Sequence, residues 1–247
     1  MLRYKAGPPD CGRLPRMDPR TTSPGCPPDA ALAAGQLSAG LRDSGALLVK
    51  RILDIVVATI LLLLAIPFAV FIALAIVLDS RGPVFFAHPR IGKGNRTFRL
   101  FKFRTMVRDA DTVLEEYLSA HPDLRSEWNE THKLKIDPRV TRVGRLLRRT
   151  SLDELPQLFS VLGGEMSMVG PRPIVVDEIQ KYGPLFALYL QAKPGLTGLW
   201  QASGRRDNSY QTRLALDRRY LQERTLGMDL LVLLKTIRVV LLGHGAY

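Results

Sequence analysis

The longest run of apolar residues extends from Ile52 to Leu78 and is broken by polar side chains only at Asp54 and Thr59. A straight helix of that length reaches roughly 40 Å, enough to cross a hydrocarbon core of about 30 Å. Pro67 lies near its middle, where a proline removes a hydrogen bond and kinks or breaks a helix. Basic residues flank both ends, so the positive-inside rule favours a cytoplasmic position for both. The pattern leaves two alternatives: a kinked span, or a helix that breaks at Pro67 and returns to the same face.

Shorter patterns predict the elements that follow. Segments 83–86 and 98–103 are rich in β-branched and aromatic residues and surround a turn-like stretch at 92–95, which predicts a small hairpin. Apolar residues at helical spacing predict a helix from Asp109 to about Leu124, most simply a packing element. We therefore expect a mixed α/β fold, mainly helical with short strands.

The end of the chain carries a second strongly apolar pattern. Residues 228–242 read as a helix that contains Lys235 and Arg238. An apolar helix with basic residues suits the plane of the membrane interface, and burial against the rest of the domain is the alternative. The organisation expected is a membrane segment at 46–80 followed by one domain at 81–247.

Residues 1–45 differ from the rest in composition. They are rich in Pro, Gly, Ala and Ser and lack apolar periodicity, so we expect a disordered tail. The stretch has no hydrophobic region of the kind found in a signal peptide. Cys11 and Cys26 lie in this tail without the spacing of metal ligands, and a reducing, cytosolic setting is the simplest fit.

The charge balance points to an anionic partner. Lys and Arg number 35 against 23 Asp and Glu, a formal net charge of +12, which suits nucleic acid, lipid head groups or a phosphorylated substrate. A low aromatic share, with no zinc-finger or RNA-recognition signature, makes nucleic acid the weakest of these. The four histidines show no metal spacing and no Gly-x-Ser-x-Gly elbow is present, which disfavours zinc hydrolysis and serine esterase chemistry.

A pair of carboxylates, Asp153 and Glu154, precedes a short helical pattern at 155–162 that Gly163-Gly164 ends. This spacing predicts that both lie in the first turn of that helix. With Ser151 as the N-cap and Glu154 three residues later, the stretch has the pattern of a capping box. The structural interpretation is then that these residues only stabilise the start of the helix. The functional interpretation is a nucleophile kept ionised at the positive end of a helix dipole.

Arginines surround the carboxylate pair in the sequence. Arg145, Arg148 and Arg149 precede it, and Arg172 lies between Pro171 and Pro173. Two carboxylates alone would repel a phosphate, so cations are needed beside them, and a guanidinium on stiff backbone is a suitable fork donor. The alternatives are a surface turn for Arg172 and a solvated or lipid-facing basic face for the upstream arginines.

These residues resemble the signature of the bacterial sugar transferases. These are monotopic phosphoglycosyl transferases, which enter the membrane from one face and move a sugar 1-phosphate from a nucleotide sugar onto a polyprenyl phosphate. The resemblance covers roughly residues 48–247. It rests on six ordered segments: 50–78, 90–106, 137–149, 151–158, 164–173 and 193–205.

The resemblance implies chemistry in two steps. Asp153 attacks the phosphate that bears the sugar, UMP leaves, and the phosphate of undecaprenyl phosphate then attacks the covalent intermediate. UDP-glucose or UDP-galactose is the expected donor, in an exopolysaccharide or related pathway. Glu154 would hold Mg²⁺, a cation that often binds only one or two carboxylates beside substrate phosphates. Lys102, Arg148 and Arg172 match the family's cationic residues around the diphosphate.

The resemblance also implies a place in the cell. It favours a re-entrant helix broken at Pro67, with interfacial amphipathic helices and a catalytic domain on the cytoplasmic face of the bacterial inner membrane. Ile66 stands where many members have serine, which weakens the expected hydrogen bonding at the break. The alternative from another class is a non-catalytic, basic, membrane-anchored adaptor. It explains the charge and the apolar run but not the combination of Asp153-Glu154 with Arg172.

Overall fold

The computed structural model describes residues 44–131, 134, 136–203 and 209–242. The predicted tail at 1–45 lies almost entirely outside the described residues. The fold is mixed and mostly helical, as predicted. Its helices are α1 Ser44–Asp79, α2 Ala110–Ala120, α3 Leu124–Thr131, α4 Arg142–Thr150, α5 Gln157–Gly163, α6 Ile179–Tyr182, α7 Leu185–Tyr189, α8 Leu199–Ala202, α9 Tyr210–Glu223 and α10 Leu226–Leu242. Its strands are β1 Phe85–Ile91, β2 Thr97–Phe103, β3 Ser167–Val169 and β4 Gly195–Thr197.

Helix α1 is long and apolar enough to cross a membrane. It runs as one continuous helix with Pro67 inside it, so the predicted break at this residue is not confirmed. Its central surface is apolar and exposed: Phe68, Val70 and Phe71 are each more than 60% accessible. A surface of this kind is stable only when lipid or another apolar body covers it.

Both ends of α1 are fixed to the same body. Near its start, Asp54 is buried and its Oδ1 accepts the backbone N–H of Met168 at 3.0 Å. At its end, Asp79 Oδ2 accepts the N–H of Val143 at 2.9 Å, in the first turn of α4. The Arg104 guanidinium donates to the carbonyl of Ser80 and so satisfies a carbonyl just beyond the helix end. Between these ends, Leu62, Ala69 and Ile72 pack against the cores of that body, so one face of the helix stays in contact with it while the other is exposed.

The predicted hairpin is confirmed. Strands β1 and β2 pair antiparallel from Phe85↔Phe103 to Ile91↔Thr97, and a 3₁₀ turn joins them. A second, parallel pair joins β3 to β4. Gly195 of β4 lies against Gly170, the residue after β3. A Cβ on Gly195 would fall 2.1 Å from the nitrogen of Gly170, which excludes any side chain at position 195.

The main core lies where α1, α5, β2, β3 and α10 meet. Its buried apolar members include Ala58, Phe98, Leu100, Leu158, Val161, Met168 and Val232. The predicted C-terminal helix is confirmed as α10, and one of its faces is buried against the domain, as one of the two alternatives expected. Val232 is buried in the core, whereas Leu231, Leu234 and Ile237 are exposed on another face. One face of α10 thus packs on the domain and the other remains apolar and accessible.

Candidate active site

The carboxylate pair lies in a tight turn and not in the helix that follows it. Asp153 and Glu154 belong to a 3₁₀ turn, Leu152–Glu154, whereas α5 begins only at Gln157. The prediction that the pair lies in the first turn of that helix is wrong. Pro156 is the N-cap of α5, and the helix starts directly after it because proline suits a helix start and not its interior.

Ser151 occupies the N-cap position of the 3₁₀ turn, but its side chain makes no capping hydrogen bond. It adopts φ 57°, ψ 17°, a left-handed conformation that ends α4. The predicted capping box with Glu154 is therefore wrong. A left-handed conformation is costly for a residue with a Cβ, on the order of 1 kcal/mol or more, and such strain concentrates at functional sites. Here it turns the chain sharply between two helices and places the carboxylate pair against the hairpin.

Strand β2 supplies the cation that holds the pair. Alternate residues of a strand share a face, so Lys102 follows buried Leu100 and faces the turn. Its Nζ lies 2.7 Å from Glu154 Oε1 and 3.4 Å from Asp153 Oδ2. A single ammonium thus bridges both carboxylates, which offsets their mutual repulsion.

Asp153 is 8% exposed, and this burial raises the pKa of its carboxyl above the ordinary value. The nearby charge of Lys102 opposes the rise, Glu154 adds to it, and Arg148 lowers it. The carboxylate is therefore poorly solvated in its ionised form. A desolvated anion is a stronger nucleophile than one surrounded by water, provided that neighbouring cations keep it deprotonated.

A small, partly open cleft lies beside Glu154. Cationic and amide side chains dominate its polar wall. The lining residues are Arg90, Leu100, Lys102, Glu154, Gln157, Arg172, Pro173, Gly195, Leu196 and Gln201.

Arg172 enters this cleft from the rigid Pro171–Pro173 stretch. Its guanidinium lies 5.5 Å from the centre of the Trp200 ring, a cation–π contact that leaves its N–H groups available to a ligand. Arg90, which the sequence marked only as a basic flank of the membrane segment, lies close by and donates to the carbonyl of Pro173 at 3.3 Å. Burial and the charge of Arg172 both lower the pKa of Arg90.

The structure thus brings together Lys102, Glu154 and Arg172 around one cleft, with Asp153 held against its edge by Lys102. Arg148 is placed differently: within the described part of the chain it is not a lining residue of this cleft. Its Nε donates to Thr105 Oγ1 at 3.0 Å, and its charge still acts on Asp153. Gln157 and Gln201 also line the cleft, and periodicity marked neither as polar lining.

A buried network supports the Trp200 ring. The guanidinium of Arg213 lies 5.5 Å from that ring and donates to Glu178 Oε1 at 2.7 Å. Asp217, 1% exposed, accepts the hydroxyl of Tyr182 at 2.7 Å. Sequence reasoning missed Arg213, because a single arginine on an amphipathic helix carries no signal of burial.

The predicted Mg²⁺ requires oxygen ligands. Among residues that the structure describes, no group of three or more His, Cys, Asp or Glu side chains is arranged to hold a metal. Mg²⁺ frequently takes one or two carboxylates and completes its shell with water and substrate phosphates. Glu154, on the cleft wall beside Asp153, fits an ion that arrives with a diphosphate and does not fit one held by the protein alone.

A long apolar helix joined to a cleft that lies beside paired carboxylates and carries arginines is typical of a membrane-associated enzyme that acts on phosphorylated substrates. Comparison with known families agrees, since the profile described as "Bacterial sugar transferase" matches residues 45–243. The chain belongs to the bacterial sugar transferase family.

Curated relatives cover most of this chain. It is 48% identical over 198 residues to the exopolysaccharide production protein ExoY of Rhizobium meliloti, which covers 80% of this chain and 88% of that protein. It is also 48% identical over 198 residues to the undecaprenyl-phosphate galactose phosphotransferase of Salmonella typhimurium, and the alignment covers 80% of this chain and 41% of that protein. A UDP-glucose:undecaprenyl-phosphate glucose-1-phosphate transferase of Caulobacter vibrioides is 40% identical over 206 residues, with 80% and 72% covered. The chain thus spans less than half of some relatives and most of others.

Proposed function

We propose that this protein transfers a sugar 1-phosphate from a UDP-sugar to undecaprenyl phosphate and releases UMP. The observation that carries the proposal is the lysine-bridged pair Asp153-Glu154 at the edge of a cleft that Arg172 and Arg90 line. The names of the relatives support the substrate classes, and they favour galactose or glucose as the sugar. The product would start an exopolysaccharide or related glycan.

In the first step, an Asp153 carboxylate oxygen attacks the phosphorus that bears the sugar. A new P–O bond forms to Asp153, and the bond from that phosphorus to the UMP oxygen breaks, so UMP leaves with the bonding electron pair. Arg172 and Lys102 neutralise the charge that develops on the phosphate oxygens, which is the main catalytic requirement of phosphoryl transfer. No proton transfer is needed, because UMP leaves as a phosphate anion.

In the second step, a phosphate oxygen of undecaprenyl phosphate attacks the same phosphorus. The bond to Asp153 breaks, the polyprenyl diphosphate sugar forms, and the carboxylate is restored. Splitting one transfer into two lets each substrate occupy the same cationic site in turn. Arg148 acts at a distance here, by keeping Asp153 ionised.

Mg²⁺, when bound with the diphosphate, would supply charge neutralisation at the phosphate oxygens. Glu154 would be its protein ligand. Lys102 then has a second role, because it holds Glu154 at 2.7 Å before the substrate arrives and keeps that carboxylate turned toward the cleft.

The membrane arrangement belongs to the same proposal. Both ends of α1 contact one catalytic body. If α1 crossed the membrane, about 30 Å of hydrocarbon would lie between its ends, and a body on one side could not contact both. This favours a helix that enters and leaves the inner membrane on the cytoplasmic face, bent near Pro67. The lipid acceptor can then keep its tail in the bilayer while its phosphate reaches Asp153.

The direct test measures nucleotide release by detergent-purified protein with Mg²⁺, undecaprenyl phosphate and single UDP-sugars. UMP release with one sugar, lost in Asp153→Asn, is the expected result. Release of UDP instead would mean transfer of the sugar alone. No nucleotide release with any UDP-sugar, from protein that still binds liposomes, would favour the adaptor alternative.

A further inference from the structure

The start of α1 meets the end of α5 through an arginine. Arg51 Nη1 donates to the carbonyl of Val161 at 2.7 Å, and its Nη2 donates to the carbonyl of Leu162 at 2.9 Å. Both acceptors are neutral carbonyls at a helix C-terminus, which carry only partial negative charge. The guanidinium is therefore anchored without a full counter-charge.

Lys193, in the loop between α7 and β4, approaches the same place. Its Nζ lies 3.6 Å from the position that a Cβ on Gly164 would occupy, and Arg51 Nη2 lies 3.5 Å from that position. Gly164 has φ +86°, so a notch without a side chain separates the two cations. Within the described ranges, no hydrogen bond or ion pair of the Lys193 ammonium is found.

The electrostatic surroundings of this notch are positive. Burial lowers the pKa of Lys193, and the charge of Arg51 lowers it further, with added contributions from Lys93 and Lys50. Asp54 is the acidic residue that opposes them, but its Oδ1 already accepts N–H and O–H groups of β3. Two cations that approach each other form a site suited to an oxyanion.

The location identifies the anion. Arg51 directly precedes the apolar run, and Ile52, one residue on, is 53% exposed. Exposed apolar residues of α1 lie on both sides of Arg51, at Leu48 and Val49 before it and at Ile52 after it, so the notch lies beside a surface suited to lipid. It is separate from the catalytic cleft, which Gln157 lines at the opposite end of α5.

We propose that Arg51 and Lys193, across the notch at Gly164, bind the phosphate of an anionic membrane phospholipid. The site anchors the start of α1 to the head-group layer and adds a specific contact to the general attraction of a basic protein for anionic lipid. It goes beyond the proposed function and does not depend on it.

The test uses the full chain in detergent with phosphatidylglycerol or phosphatidylcholine, and reads retained lipid by native mass spectrometry and lipid-dependent thermal stability. Lys193→Gln is compared with Lys181→Gln, a matched control at an exposed lysine outside the notch, whose ammonium lies over the Tyr210 ring. We expect wild type and Lys181→Gln to retain one tightly bound phosphatidylglycerol and to gain thermal stability from it. Lys193→Gln should bind it at least about tenfold more weakly, since one charge-assisted bond is lost.

Folding of the variant has its own readout. Without lipid, Lys193→Gln should unfold at the same temperature as wild type or higher, because a poorly solvated ammonium and its repulsion with Arg51 are removed. Equal retention of phosphatidylglycerol by wild type and Lys193→Gln would overturn the proposal. So would retention that depends on Lys193 but occurs with undecaprenyl phosphate and not with phosphatidylglycerol, since the site would then serve the acceptor substrate.

Discussion

Asp153 and Asp217 are both buried aspartates whose carboxyl pKa is raised by burial, yet they belong to different kinds of site. Asp217 is 1% exposed with a pKa raised to about 6, and Asp153 is 8% exposed. Asp217 accepts a short hydrogen bond from Tyr182 and faces Arg213, which is itself held by Glu178. Every strong partner of Asp217 is fixed within the protein.

Asp153 has a looser set of partners. Its contact with Lys102 is long, 3.4 Å, and the ammonium is shared with Glu154 beside an open cleft. Burial with a raised pKa therefore does not by itself mark a catalytic carboxylate. What distinguishes Asp153 is that its ammonium partner lines an open cleft and is shared with Glu154, and that its turn begins at a left-handed serine.

The largest expected difference between the two aspartates is in activity. Asp153→Asn should lower UMP release roughly 10⁴-fold or more, because it removes the proposed nucleophile while keeping the shape. Asp217→Asn is the matched substitution and should retain most activity, since an amide oxygen still accepts the Tyr182 hydroxyl. Nucleotide release under identical conditions measures both, and comparable losses in the two variants would remove the distinction drawn here.

Stability should show the reverse order. Asp217→Leu removes the acceptor of Tyr182 and a partner of Arg213, which should cost about 3 kcal/mol of the free energy of unfolding. Asp153→Asn should instead stabilise the protein at neutral pH. Because the folded-state pKa of Asp153 is raised, its ionisation weakens the fold as pH rises through that pKa, and the amide avoids this cost. Thermal unfolding in detergent checks both, and a Leu variant as stable as wild type would contradict the closed network.

Whether a feature could be predicted from the sequence depended on how far apart in the sequence its interacting residues lie. The hairpin and the C-terminal helix were predictable because periodicity is a local signal. The pairing of Lys102 with the carboxylates crosses 51 and 52 positions, and it was not predicted, because the family resemblance placed Lys102 only around the diphosphate. The left-handed Ser151 was predicted as an N-cap, since a serine three residues before a glutamate is usually one. Contacts such as Asp54 with β3 carry no local pattern at all.

The pH dependence of activity sharpens the assignment of Asp153 further. Asp153 must be ionised to attack, so activity should be lost as pH falls through its raised pKa. Lys102→Met removes the cation that most lowers this pKa, so the acidic limb should move to higher pH, together with roughly a 10²-fold lower rate. Glu154→Gln removes a charge that raises it, so the limb should move to lower pH. Shifts of the two variants in the same direction would refute the assignment.

The smallest expected effect concerns Trp200, which connects the network around Asp217 to the cleft. Trp200 lies 5.5 Å from the guanidinium of Arg172 on the cleft side and 5.5 Å from that of Arg213 in the network. Trp200→Leu should raise the KM for the UDP-sugar about five- to tenfold, the loss of one cation–π contact, with a smaller change in kcat. Trp200→Phe keeps an aromatic face and should restore most of the affinity. If Leu and Phe variants behaved alike, Trp200 would be a packing residue only, and the network would support the fold without positioning Arg172.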